Sequence, residues 1–364
     1  MSVLKKNPVL YVFIILGLFT IGILSARLTE ISFDENARFQ SFTDSLFEEE
    51  VQGNTLNLHY TLADPKEYGI HNYPLTLGTL SEESISESAH YSKELLQKLK
   101  SYEYTDLSSD NQILYDTLSF VLETESHSGD FRLFYEPLSP TLGIQAQLPI
   151  LLAEYTFRNE QDIKDYLILL EDIKPYFEDI LTYEQQKSSA GLFMNTDTAD
   201  GIIAQFTDFI SDKENHFLVT VFNDKIHKCT FLSDRKKEKY INQNLTRLQE
   251  FCFPAYELLI EGLSDLRGTG LNEYGLCYYE NGQEYYQHLV ESSTGIYDSV
   301  EDIEQRLYKQ LYQDYMQIQR LFTAYPDIAE NAQLCLFVWD ILLRTVSSGI
   351  STNSSTPKSP INLR

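Results

Sequence analysis

The chain has 364 residues, 43% hydrophobic and 13% aromatic, enough for a sizeable core and against global disorder. Its 54 acidic and 28 basic side chains give a formal net charge of −26, which argues against nucleic acid or an anionic lipid surface as the main partner, because phosphates are repelled. Four cysteines (Cys229, Cys252, Cys277 and Cys335) are too few for a disulfide-scaffolded fold. The charge is uneven. Residues 1–33 and 335–364 each carry +2, so residues 34–334, with 22 basic and 52 acidic side chains, carry −30. Three parts follow: an N-terminal segment 1–33, an acidic body 34–334 and a tail 335–364.

The first part reads as a signal anchor. Lys5 and Lys6 precede an apolar run over 9–24. Extended through residues 9–26, the run nears the ~20 residues a helix needs to cross a hydrocarbon core. The lysines stay on the cytoplasmic side, which places the body outside the cytoplasm. A cleaved signal peptide, cut near Ser25 and Ala26, gives a secreted protein instead. No cysteine follows the run, so a lipoprotein anchor is excluded.

The body reads as helical. Phe39, Phe42, Leu46 and Phe47 share one face of a first helix. Ser84 and Glu87 have capping-box spacing and open a second helix that runs to about Lys100. Ile113, Leu114, Leu118, Val121 and Leu122 define a third helix from about Ser109. From Glu160 to Lys187 the pattern is long and dense, and Pro175 inside it predicts a kink or a division. Further helices are predicted at 197–222, 234–263, 282–291 and 299–323. The strand signals, at 131–135 and 276–279, are weak. The fold class is therefore all-α: a multi-helix domain with long helices behind an N-terminal transmembrane or signal helix. Loops cluster at 65–80, 136–143 and 268–275. The tail is rich in Ser, Thr and Pro and holds a single acidic residue, Asp340. It reads as a disordered end, or as a segment foreign to the domain.

Catalytic motifs are few. No histidine is followed by glutamate, so no H-E-x-x-H zinc helix is present. His288 with Glu291, and His227 with Cys229, are isolated pairs that fit solvated helix faces better than a metal site. Neither a phosphate-cradling loop nor a G-x-S-x-G elbow occurs. The notable cluster is aromatic. Asn272, Tyr274 and Gly275 in a Gly-rich loop, with Tyr278, Tyr279, Tyr285 and Tyr286 after it, form a candidate substrate groove, although core packing also explains tyrosines at such spacing.

Several blocks resemble the N-terminal portion of the bacterial domain-of-unknown-function family 885. They are Phe39-Gln-Ser-Phe42 through Val51, Thr55 to Leu62, Gly143 to Tyr155, Asp162 to Leu167, Ala190 to Met194, Gly270 to Gly275, and Asn281 to Tyr286. That family resembles helical zinc peptidases of the gluzincin type, whose metal helix carries an H-E-x-x-P-G-H-H pattern downstream of the Gly and Tyr-Tyr block. The present sequence stops before such a helix, so no catalytic residue or zinc ligand is carried over. Zinc is expected only for a longer family member. The resemblance implies one wall of a peptidase cleft, with 270–286 facing substrate. Two readings stand: a membrane-anchored, truncated relative of metallopeptidases without activity of its own, or a membrane-tethered helical protein that binds peptides or another ligand and needs no metal.

Overall fold

The computed structural model describes residues 34–326, apart from residue 273. The predicted anchor at 1–33 and the tail at 335–364 lie outside the described residues. The chain divides into two compact units, one ending at His288 and one beginning at Leu289.

Among the described residues there are helices and no strand. Helix α1 (Glu35–Gln52) starts on the N-cap Asp34, and α2 (Thr55–Thr61) on the N-cap Asn54. Helix α3 (Glu82–Leu99) corrects the predicted cap. Ser81 is the N-cap, and Ser84 closes the box from N3, each side chain accepting the other residue's backbone N–H at 2.9 Å. Helix α4 (Ser109–Glu125) begins as predicted, but Ile113, Leu114 and Val121 are exposed and Leu122 alone of the predicted face is buried. Helix α5 (Ile144–Glu154) contains Pro149.

Helix α6 (Glu160–Ser189) is the spine of the first unit. It runs undivided through Pro175, where a kink or a division was predicted. Packing explains the difference: Ile163, Leu169, Leu170, Ile173, Phe177, Ile180 and Tyr183 are all fully buried along it. Each such side chain contributes roughly 2 kcal/mol of apolar burial, enough together to outweigh the ~3 kcal/mol of a helical proline.

The predicted helix over 197–222 is two helices, α7 (Thr196–Phe209) and α8 (Phe217–Lys228). Between them Asp212 accepts the Asn215 N–H at 3.0 Å, and His216 caps α8 through its ring nitrogen. Residues 211–216 between the two helices are all polar, and this turn chemistry ends α7 and starts α8. The predicted helix over 234–263 is α9 (Asp234–Arg247) and α10 (Phe253–Leu266), joined by a π turn over Leu248–Cys252. Pro254 has no N–H to return to the preceding turn, and one wider turn absorbs that defect. Helix α11 (Gly282–Thr294) follows. The segments read as weak strands contain 3₁₀ turns, at Ser128–Phe131 and Leu276–Tyr278.

The main core lies between α6, α7 and α10, with α8 and α9 closing one side. A smaller aromatic core of Phe39, Phe42, Leu99, Tyr102 and Leu107 joins α1, α3 and α4. The second unit contains α12 (Val300–Ala324), capped by Ser299, which accepts the Asp302 N–H at 3.1 Å. Ile303, Leu307, Leu311, Tyr315, Ile318 and Phe322 recur along it at helical spacing. No helix among the described residues is long and apolar enough to cross a membrane.

Candidate functional site

A concavity of about 760 Å³ opens between α2, the loop over 62–75 and the first turns of α6. Its walls are built locally. Asn54 accepts the Leu56 and Asn57 N–H groups at 2.8 and 3.2 Å, which fixes the start of α2. Thr55 ties the loop to the helix: its hydroxyl donates to the Pro74 carbonyl at 3.0 Å and accepts the Thr76 N–H at 2.8 Å. Asp172 on α6 accepts the Leu77 N–H at 2.6 Å and the Thr76 hydroxyl at 3.1 Å. The loop, which includes a 3₁₀ turn at Pro65–Tyr68, is thereby held as a wall.

Polar groups converge on the floor. Tyr73 donates to Asp165 at 2.7 Å, and Gln161 donates to the other oxygen of the same carboxylate at 2.7 Å. Asp165 is almost completely buried, and these two bonds satisfy it. The Asp162 carboxylate caps α6 by accepting the Arg158 and Asn159 N–H groups. Burial pushes its pKa up, against those two bonds.

His59, projecting from α2, is 6% exposed and stacks on Tyr155 with ring centroids 3.5 Å apart. Burial first, then the charges of Arg158 and Lys225, lower its pKa to about 4. It is therefore neutral near pH 7, with one ring nitrogen able to accept. Two donors compete for it. The Thr156 N–H lies 3.1 Å from Nε2, and a guanidinium nitrogen of Arg158 lies 3.3 Å from Nδ1. One of these donors stays unmatched, and the ring's own N–H also needs an acceptor. Arg158 is held in place by a second bond, to the His59 carbonyl at 3.1 Å. Around the His59 ring donors thus exceed acceptors, although Asp64, Asp162 and Asp165 line the same concavity, and that spot suits a ligand that brings acceptor oxygens.

The sequence-predicted groove residues lie elsewhere, and none of the seven lines this concavity. Asn272 is buried and closes its own loop: it accepts the Tyr274 N–H at 2.8 Å and donates to the Gly275 carbonyl at 2.5 Å. Tyr274 and Tyr278 are exposed and pair with each other, ring centroids 5.4 Å apart. Tyr279 donates to the Phe193 carbonyl at 3.4 Å. Tyr285 is buried against Phe131 and Phe134, and Tyr286 is exposed. Sequence reasoning missed His59, Tyr73, Arg158 and Asp165. The signal available was the Asn54 cap, which marks α2 and so places His59 on it.

Fold and site together define an all-helical domain with a polar, donor-rich concavity. Among the described residues no three His, Cys, Asp or Glu side chains group so as to hold a metal ion. The family described as "Bacterial protein of unknown function (DUF885)" matches residues 66–335, and the chain belongs to it. Its fold is similar to the crystal structure of a candidate lipoprotein from Colwellia psychrerythraea, at 17% identity and a TM-score of 0.67. That likeness covers 80% of this chain and 51% of the other, so this chain spans about half the length of its structural relative. No curated protein matches it.

Proposed function

We propose that the chain is an extracytoplasmic module, tethered to the membrane through residues 9–26, that binds a short peptide or a similar carbonyl-bearing ligand and has no peptidase activity of its own. The observation that carries this reading is the donor excess at His59, at the edge of a preformed concavity. A peptide backbone presents the carbonyl oxygens such a site lacks. The test uses the purified full-length chain in detergent, titrated calorimetrically with tetra-alanine, with metal analysis and a peptide-hydrolysis assay alongside. Saturable binding that His59→Phe weakens, without hydrolysis, is the expected result. Stoichiometric zinc with hydrolysis, or no binding, refutes it.

A second reading is favoured by the half-length coverage of the structural relative. In it, this region forms the substrate-facing wall of a metallopeptidase whose zinc helix is encoded further on. Genomic sequence beyond the codon for about residue 335, read in all frames, then contains an H-E-x-x-H segment. Its absence removes this reading.

A further inference from the structure

A second concavity, of about 410 Å³, lies between the α5–α6 connection and the C-terminal end of α8. Thr156, Phe157 and Arg158 form one side; Lys225, Lys228, Cys229, Thr230 and Phe231 form the other. Acidic residues outnumber basic ones by 54 to 28 in this chain, yet the lining holds three cations and no carboxylate.

The way these cations are held matters more than their number. No ion pair within 4 Å joins Arg158, Lys225 or Lys228 to a carboxylate among the described residues. Arg158 is anchored by the His59 carbonyl at 3.1 Å. Lys225 is anchored by the carbonyls of Ala153 and Tyr155, the latter at 2.9 Å. A carbonyl fixes a cation without neutralising it, so two charges are positioned with no carboxylate in contact, and the Asp162 charge acts on Arg158 from further off. Glu154 is the one acid whose charge acts on Lys225, and it does not line the concavity.

We propose that this concavity binds an oxyanion of the phosphate class, with Arg158, Lys225 and Lys228 as its charge partners and the Thr156 and Thr230 hydroxyls within its walls. A dianion suits three cations better than a monoanion does. Guanidinium and ammonium donors match tetrahedral oxygens, and preset positions lower the ordering cost of binding. The volume exceeds a bare phosphate, and Phe157 and Phe231 offer apolar wall to whatever carries the group. The −30 of the body does not forbid this. Repulsion from distant carboxylates is screened over a Debye length of about 8 Å at physiological salt, whereas the site acts at contact.

The experiment is calorimetric titration of the full-length chain in detergent with inorganic phosphate, at ionic strength held constant with chloride. Saturable binding at millimolar phosphate is expected. Lys228→Glu, at an exposed position, weakens it about tenfold or more, and Arg158→Gln abolishes it. A thermal melt of each variant establishes that it is folded, and Lys228→Glu alone decides the matter if Arg158→Gln does not fold. Glycerol phosphate and short-chain phosphatidylglycerol separate the sources: tighter binding of the lipid assigns a headgroup site, and equal or weaker binding assigns a soluble phosphate. No saturable binding, or binding undiminished by Lys228→Glu, overturns the proposal.

Discussion

Glu184 gives the sharpest test of the core. It lies on α6 with its side chain fully buried, and neither carboxylate oxygen has a hydrogen-bond partner. The one cation beside it, Lys187, is also fully buried, but its ammonium is 3.9 Å away and committed to Glu136 at 2.8 Å and the Tyr135 carbonyl at 3.0 Å. Desolvation therefore outweighs attraction and lifts the Glu184 pKa from 4.5 to about 7. The folded state holds a proton more tightly than the unfolded chain. Stability from this group is fully present below pH 4.5 and is lost as pH rises through 7. The difference between the two acid constants corresponds to roughly 3 kcal/mol across that window. Glu184→Gln keeps the shape and removes the titration. Urea unfolding, followed by far-UV circular dichroism at several pH values from 4.5 to 8, measures the effect. The wild-type midpoint should fall relative to Glu184→Gln as pH rises, with the denaturant slope unchanged. Parallel curves for the two proteins would refute the argument, because the unpaired buried charge would then carry no penalty.

Asp172→Ala removes the acceptor of the Leu77 N–H and the Thr76 hydroxyl, so it should cost about 1–3 kcal/mol and expose the segment over 69–78 to limited proteolysis. At Gly282, a methyl group would sit 1.8 Å from the Leu276 carbonyl oxygen, so Gly282→Ala forces the backbone over 276–282 apart and should lower the melting temperature by several degrees. Thiol titration of a Cys335→Ser variant should find one fast group, the exposed Cys277. Cys229 and Cys252 should react only on unfolding, since burial pushes the Cys252 thiol up to about 12 and also raises Cys229.

Much of the fold is legible in the sequence, because amphipathic periodicity reports burial directly. Helix α6 shows this over thirty residues. The pattern says less about breaks. Between α7 and α8 the polar run over 211–216, closed by the Asp212–Asn215 turn, marks a gap that the predicted helix over 197–222 passed over. At Pro175 local chemistry predicts a kink or a division where the helix runs on, whereas at Pro254 the predicted helix over 234–263 passes over a π turn that the structure shows. The short helix α2 and the proline-bearing α5 escape a periodicity reading altogether. The candidate site is almost illegible for a different reason. His59 and Arg158 are 99 positions apart, and Tyr73 and Asp165 are 92 apart, so no local spacing announces either pair. The tyrosines of 274–286 are conspicuous in sequence because they are adjacent, while the structure gives them several unrelated roles.

The net charge acquires a different meaning once positions are known. An acidic surface is diffuse and screened, and it sets solubility and long-range attraction rather than recognition. Recognition depends on where charge is left uncancelled at short range. Most buried or half-buried charges here are satisfied: Asp165 by Tyr73 and Gln161, Asp172 by the loop it holds, Lys187 by Glu136. Arg158 and Lys225 are the contrast. Each is anchored to backbone carbonyls through only part of its donor set, neither has a carboxylate in contact, and Arg158 lines both concavities. A substitution there consequently acts on two ligands at once. Arg158→Gln should relieve the donor competition at His59 while removing charge from the neighbouring concavity. Peptide and phosphate titrations of that one variant should therefore respond unequally, and an identical loss of both would mean that the two concavities are a single site.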